Sequence, residues 1–180
     1  MRGYILIALV CLATSQFGHA QGTVNFANAG AGFNAPVYVD FVGGTPASTD
    51  WMAQLLLDEG GSLTAVGNPA NFVAPGYFNG GVVTVTQVPP GGDGTFRVFA
   101  WDGGSGQTFY AAALAAWNGG AIMAGYSNPV TILTGGAGTP AAPPGALVGL
   151  QSWGAAVVPE PSTALLGLLG AGALLLWRRR

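Results

Sequence analysis

The chain has no lysine, a single cysteine, a single histidine and few charged side chains, which make up 7% of its 180 residues. An average soluble protein carries about 25% charged residues. Arg97 is the only basic residue between positions 21 and 158, where it is outnumbered by six acids, Asp40, Asp50, Asp58, Glu59, Asp93 and Asp102. Nucleic-acid binding needs clustered Lys or Arg side chains that displace counterions from phosphates. We therefore exclude nucleic acid as a partner.

Residues 1–20 have the composition of a secretory signal peptide. Arg2 supplies the positive charge, and residues 4–13 form an apolar run, which is too short to cross a bilayer core about 30 Å thick. Small residues one and three positions before Gln21 predict cleavage between Ala20 and Gln21. An uncleaved N-terminal anchor is the alternative interpretation.

Cleavage at this point would remove both Cys11 and His19, the only cysteine and the only histidine. The exported part would then have no disulfide, no Cys or His nucleophile or base, and no metal site built from Cys or His. We expect neither a cofactor nor a bound metal, and we expect no catalytic residues of these types.

A Pro-Glu-Pro tripeptide, Pro159, Glu160 and Pro161, opens the last 22 residues. Proline fixes its own φ and disfavours helix in the residue before it. The tripeptide is therefore predicted to be extended, which suits recognition in a protease cleft.

An apolar run and a basic end follow the tripeptide. Residues 162–177 predict a transmembrane helix, which is short for a bilayer unless its flanks contribute or the membrane thins. Trp177 has the position of an interfacial anchor. The final residues Arg178, Arg179 and Arg180 predict a cytoplasmic end, because basic residues remain on that side.

Together these parts resemble the PEP-CTERM sorting signal of Gram-negative bacteria over residues 157–180. The resemblance implies recognition by an exosortase, a membrane-embedded Cys peptidase that processes its substrates near the Pro-Glu-Pro motif. It also implies passage through the inner membrane, delivery to the cell surface or extracellular matrix, and possible association with exopolysaccharide. A rigid spacer ahead of a permanent membrane anchor is the alternative.

Residues 21–134 contain several short stretches in which apolar and polar side chains alternate, as in half-buried strands. The clearest stretches are 36–42, 81–88 and 95–102. Turns rich in Gly, Pro and Asp separate them. The pattern predicts an all-β fold, an antiparallel β-sandwich, with one short Ala-rich helix at 108–117. Residues 135–158 are interpreted as a Gly/Pro-rich linker with a possible last strand.

The acidic side chains offer weak catalytic candidates. Asp58 and Glu59 are adjacent and precede a Gly-Gly pair, which indicates a turn and not the separated carboxylates of a glycosidase. Asp40 is predicted to lie within a strand and to pair with Arg97. The loop at Asp102 has one carboxylate, whereas a calcium loop has alternating acidic ligands.

Aromatic side chains either fill a core or offer a stacking surface for sugars. Trp101 and Trp117 are predicted to be in the core because of their strand and helix positions. Trp51 follows three polar residues and is predicted to be exposed, which makes it the candidate for ligand stacking.

These features predict a noncatalytic exported protein with a structural or adhesive role in the envelope or extracellular matrix. A carbohydrate-binding module of the cell surface is the alternative, and an exposed aromatic strip including Trp51 would favour it. A hydrolase would need two acidic side chains that converge in a cleft.

Overall fold

The computed structural model of the chain describes residues 21–136 and 141–158. The signal peptide and the transmembrane helix expected from the sequence lie outside these residues. Within them the fold is mostly β, with strands and one helix at β1 Gly22–Ala27, β2 Ala29–Gly30, β3 Phe33–Asn34, β4 Val37–Val39, β5 Met52–Glu59, β6 Ser62–Ala74, β7 Tyr77–Val85, β8 Asp93–Trp101, α1 Tyr110–Asn118, β9 Ala124–Tyr126, β10 Val130–Leu133, β11 Gly145–Ala146 and β12 Trp153–Ala155. No helix in the two described ranges is long and apolar enough to cross a membrane.

Eight of the strands form one sheet, in the order β10-β8-β5-β6-β7-β1-β11, with β9 also paired to β8. Neighbours are antiparallel except β1 and β11, which are parallel. The sheet is curled. Two backbone hydrogen bonds, 3.0 and 2.8 Å long, join Thr23 in β1 to Gly135 just after β10. The chain just after β10, at one edge of the sheet, therefore meets β1, the second strand from the other edge.

Alternating side chains explain why these segments form strands. In β7, Val83 and Val85 are buried, while Val82 before them and Thr84 between them are exposed. In β8 the alternation separates two apolar clusters, because Phe96 and Val98 enter the main core whereas Phe99 lies in a second cluster beneath α1. The predicted strands at these positions and the predicted short helix are confirmed, within a few residues at their ends.

The segment interpreted as a linker with a possible last strand contributes two short strands, β11 and β12. Leu147, Leu150, Trp153 and Ala155 from this segment are buried in the main core. Strand β12 pairs in parallel with β4, about 115 positions earlier in the sequence. A pairing between strands so far apart leaves no pattern in the local sequence. The segment was therefore interpreted as a linker from its Gly/Pro-rich composition alone.

The strand predicted at 36–42 is shorter than expected. It ends at Val39, because Asp40 adopts a positive φ of 64° and reverses the chain. The expected pair between Asp40 and Arg97 is wrong: Arg97 bonds to Asp58 instead, with 2.8 Å between Nε and Oδ2. Register explains the change, since Arg97 on β8 lies opposite Leu56 on β5, close to Asp58.

Candidate functional site: the end of the folded domain

The C-terminal end of the described domain is built on the parallel pair β4 and β12. Trp153 lies opposite Val37, and Ala155 lies opposite Val39. Because the two strands run in the same direction and in register, the loop after β4 and the chain after β12 leave at the same end. The amide of Asp40 fixes this arrangement with a 2.7 Å hydrogen bond to the carbonyl oxygen of Ala155.

Among residues 141–158, Ala156 is the last one held by backbone pairing. It exchanges two backbone hydrogen bonds with Ala124, 3.3 and 3.1 Å long. Its carbonyl oxygen also accepts a 2.8 Å hydrogen bond from the indole Nε1 of Trp117, at the C-terminal end of α1. The next residue, Val157, is exposed. Hydrogen bonds thus hold the chain up to Ala156, three residues before Pro159.

Aromatic rings hold Trp117 in place. The ring centroids of Phe99 and Tyr126 lie 5.7 and 5.6 Å from that of Trp117, both in edge-on arrangements. The hydroxyl oxygens of Tyr126 and Tyr110 are 3.2 Å apart. Burial, followed by this hydrogen bond, raises the pKa of Tyr126 well above its ordinary value. The cluster joins α1 to β8 and β9 and so supports the end of the domain.

Most residues of the predicted sorting and cleavage sites fall outside the described residues. These are Ala20, Pro159, Glu160, Pro161, Trp177, Arg178, Arg179 and Arg180. Gln21, on the other side of the predicted signal-peptide cleavage, is exposed just before β1.

The expectation of an exposed Trp51 is wrong. Only 4% of this residue is exposed, and its ring lies 6.4 Å from that of Phe72 in the main core. The polar residues before it do form an exposed segment, whereas the Trp51 backbone carbonyl accepts a 3.0 Å hydrogen bond from the amide of Phe72 and its ring is buried. Trp51 therefore offers no stacking surface for a ligand.

Three carboxylates, of Asp58, Glu59 and Asp93, line a cavity of about 290 Å³ at the opposite end of β5 and β8. Asp58 accepts hydrogen bonds from Arg97 and from the amide of Gly61, at 2.8 and 2.7 Å. The Arg97 bond first, and then the amide, lower the pKa of Asp58. Asp58 therefore acts as an ionised turn cap and not as a proton donor.

Within residues 21–136 and 141–158, no three His, Cys, Asp or Glu side chains lie close enough to hold a metal ion. Asp102 uses its Oδ1 to accept a 3.0 Å hydrogen bond from the amide of Gly104. This bond caps the 3-10 turn Gly103–Ser105.

Sequence reasoning missed Trp117 and Ala156 as the residues that fix the end of the domain. Trp117 was placed in the core, but nothing in its surroundings indicated a bond to a residue 39 positions away. The only sequence signal for this contact was the apolar stretch at 147–153, in the second half of the Gly/Pro-rich segment.

Comparison with known proteins gives one match. Neither a curated protein nor a solved structure matches the chain. A family model described as the PEP-CTERM protein-sorting motif matches residues 157–180, which begin directly after Ala156. This motif implies an exported protein that an exosortase recognises at the membrane. Residues 157–180 are therefore a PEP-CTERM sorting motif, attached directly to the end of a β domain.

Proposed function

We propose that this chain is a noncatalytic structural or adhesive protein, exported through a cleaved signal peptide and processed by an exosortase near Pro159–Pro161. It would reside in the inner membrane of a Gram-negative bacterium during transit, through a helix at 162–177, and then at the cell surface or in the extracellular matrix. The observation that carries the proposal is the sorting motif at 157–180, which begins at the residue after the last paired one.

The position of Ala156 makes processing compatible with an intact fold. A cut at or after Pro159 leaves every strand of the described domain in place, because β12 ends at Ala155. It also leaves the hydrogen bonds of Ala156 to Ala124 and Trp117 in place. The released product would keep the complete core, which is what a durable extracellular component needs.

The noncatalytic assignment rests on the acidic side chains. Asp58 is committed to Arg97 and Gly61, and the exported part has neither Cys nor His if cleavage occurs before Gln21. For the architecture we propose the antiparallel β-sandwich, since apolar side chains of β1 and β7 share one core with those of β5 and β8.

The intact mass of the protein from membrane and extracellular fractions tests the processing. We expect the released form to begin at Gln21 and to end near Pro159–Pro161. A mass that retains Arg180 and occurs only in membranes would show a permanent anchor, and the exosortase step would be wrong.

A matched pair of double substitutions links processing to the motif. Pro159→Ala with Pro161→Ala should abolish release, since the extended tripeptide is lost. Pro89→Ala with Pro90→Ala, in the turn between β7 and β8, should leave release unchanged. Equal release of both variants would mean that the tripeptide is not the recognition element.

The structural or adhesive role is tested separately, by matrix yield and surface attachment of cells that lack the gene. Complementation with the chain should restore both. The carbohydrate-binding alternative has lost its aromatic candidate, because Trp51 is buried. We therefore propose that any association with exopolysaccharide does not use Trp51, and Trp51→Phe should leave retention on purified matrix polysaccharide unchanged.

A further inference from the structure

The turn that follows β4 has an unusual backbone. Among residues 21–136 and 141–158, Asp40 is the one residue other than glycine with a positive φ, at 64°. The amide of Phe41 donates a 2.9 Å hydrogen bond to the carbonyl of Val39, two positions earlier, which closes a tight γ-turn on Asp40. Such turns are rare and strained, and they persist only where the surrounding structure holds them. Here the 2.7 Å bond from the Asp40 amide to Ala155 holds it.

The strained turn displays two adjacent apolar side chains. Phe41 is 67% exposed and Val42 is 56% exposed, and they form what we name the Phe41–Val42 tip. Gly43 and Gly44 follow, and no charged residue occurs again until Asp50. Single exposed apolar residues are ordinary on protein surfaces. Here the backbone holds Asp40 at an unfavourable φ, and the same turn exposes two adjacent apolar side chains. This combination needs an explanation.

The position of the tip relative to the tail supplies the explanation. Strands β4 and β12 are parallel, so the tip and the chain after Ala156 emerge at the same end. Six residues lie between Ala156 and Thr163, where the apolar run begins. The seven residue-to-residue steps from Ala156 to Thr163 span at most about 25 Å in an extended chain. When the run occupies a bilayer, the tip is therefore confined close to the bilayer surface.

We propose that the Phe41–Val42 tip inserts into the outward-facing interface of the membrane while the sorting tail is attached. This inference rests on the proposed membrane insertion of residues 162–177. The described domain has one Arg against six acids, so attraction to anionic lipids is not the cause, and insertion depends on apolar burial. Even one myristoyl chain gives only marginal membrane binding. Burial of two apolar side chains is therefore too weak to hold the domain at the membrane without the tail. Cleavage at the motif then releases the domain.

The test uses the full chain with Cys11→Ser, in phosphatidylcholine vesicles with or without brominated phosphatidylcholine. One cysteine is introduced and labelled with a polarity-sensitive dye at Val42, at Leu133 or at Leu174. Leu133 is the matched control, since it is 62% exposed but pairs with Asp93 at the far end of β8. That end lies about 26 Å along the strand from the end near Ala156.

We expect a blue shift and quenching by shallow bromines at position 42, neither at 133, and deep quenching at 174. If 174 is quenched and 42 behaves like 133, the tip proposal is wrong and the membrane-inserted tail stands. If 174 is not quenched, the tail is not in the bilayer, and both proposals fall.

Two further measurements identify what covers the tip. The blue shift at position 42 should persist in 0.5 M NaCl and at one protein molecule per vesicle. Loss on dilution would mean that a second copy of the chain covers the tip, and loss in salt would mean electrostatic adsorption; either result overturns the proposal. Phe41→Ser with position 42 labelled should abolish the shift, whereas Leu133→Ser should not.

Discussion

The indole Nε1 of Trp117 donates a 2.8 Å hydrogen bond to the carbonyl oxygen of Ala156, three residues before the Pro-Glu-Pro motif. The bond connects the only α-helix among the described residues to the last paired residue of the described domain. The PEP-CTERM motif at 157–180 therefore begins directly after this residue, and only Val157 and Val158 separate Ala156 from Pro159. The residues that bond to Ala156 should therefore determine how readily the last residues of the domain detach from it.

Trp117→Phe should loosen this end. The Ala156 carbonyl keeps its 3.3 Å bond from Ala124, so the loss is that of one ordinary hydrogen bond, about 1 kcal/mol. We expect hydrogen exchange of the Ala156 amide to accelerate about five-fold relative to the core amides, as a 1 kcal/mol change implies. Mass spectrometry of short C-terminal peptides measures this rate.

Trp153→Phe is the control for the loss of ring volume. Its Nε1 is buried without a hydrogen-bond partner among the described residues, so the substitution breaks no hydrogen bond. Equal acceleration in both variants would show that ring packing, and not the Trp117 bond, holds Ala156.

Gly154→Ala should separate β12 from β4. A Cβ at this position would lie 2.5 Å from the carbonyl oxygen of Asp40 and 2.7 Å from the Cα of Phe41, and neither backbone atom can move freely. We expect a fall in the free energy of unfolding of about 1–3 kcal/mol, the range for overpacked sites, measured by urea denaturation. Gly119→Ala, where a Cβ would meet its nearest neighbour at an ordinary 3.5 Å, should be tolerated. Equal stability of the two variants would mean that β12 can move away from β4 without a loss of stability.

Local periodicity was sufficient to predict β7 and β8, in which apolar and polar positions alternate. Alanine content was sufficient to predict α1. It failed at Asp40, since a Val-Tyr-Val-Asp-Phe-Val run has the pattern of a strand and the γ-turn depends on a bond to Ala155. It failed at Trp51 for a similar reason, because the ring is buried beside Phe72, a residue 21 positions later in the sequence. The end of the domain rests on contacts between residues far apart in sequence, whereas the sorting motif is a local pattern and was read directly.

Asn28→Ala should destabilise the domain more than any exposed polar substitution. The Asn28 side chain is fully buried, donates to the carbonyls of Ala35 and Gly76, and accepts from the amide of Phe78 at 2.9 Å. The Gly76 carbonyl keeps its 3.0 Å bond from the amide of Val37, so two buried groups lose their partner, the Ala35 carbonyl and the Phe78 amide. Each such group costs about 1–3 kcal/mol, so a loss of at least about 2 kcal/mol is expected in urea denaturation. Asn79→Ala, which removes an exposed bond to Gly81, should change stability by less than about 1 kcal/mol.

Asp58→Asn should destabilise the domain at neutral pH but not in acid. The hydrogen bond from Arg97 and then that from Gly61 hold the pKa of Asp58 below its ordinary value of 3.8. Ionised Asp58 thus favours the folded state above about pH 4, and this contribution disappears as the pH falls through the folded pKa. The stabilities of wild type and variant, from denaturation at several pH values, should converge in acid. The effect should be small, because the Arg97 side chain is about one-third exposed and solvent screens the ion pair. Glu59→Gln is the control.

Tyr126→Phe should remove part of the loss of stability in alkali. Burial and the hydrogen bond to Tyr110 raise the pKa of Tyr126 above its ordinary value of 10.0. Above about pH 10 the unfolded chain releases this proton while the folded chain retains it, so the free energy of unfolding falls as the pH rises. Phenylalanine cannot titrate, and the variant should show a shallower decline between about pH 10 and 12 in denaturation experiments. Tyr77→Phe, outside the aromatic cluster, is the matched control; a decline as steep in Tyr126→Phe as in wild type would place the alkaline sensitivity elsewhere.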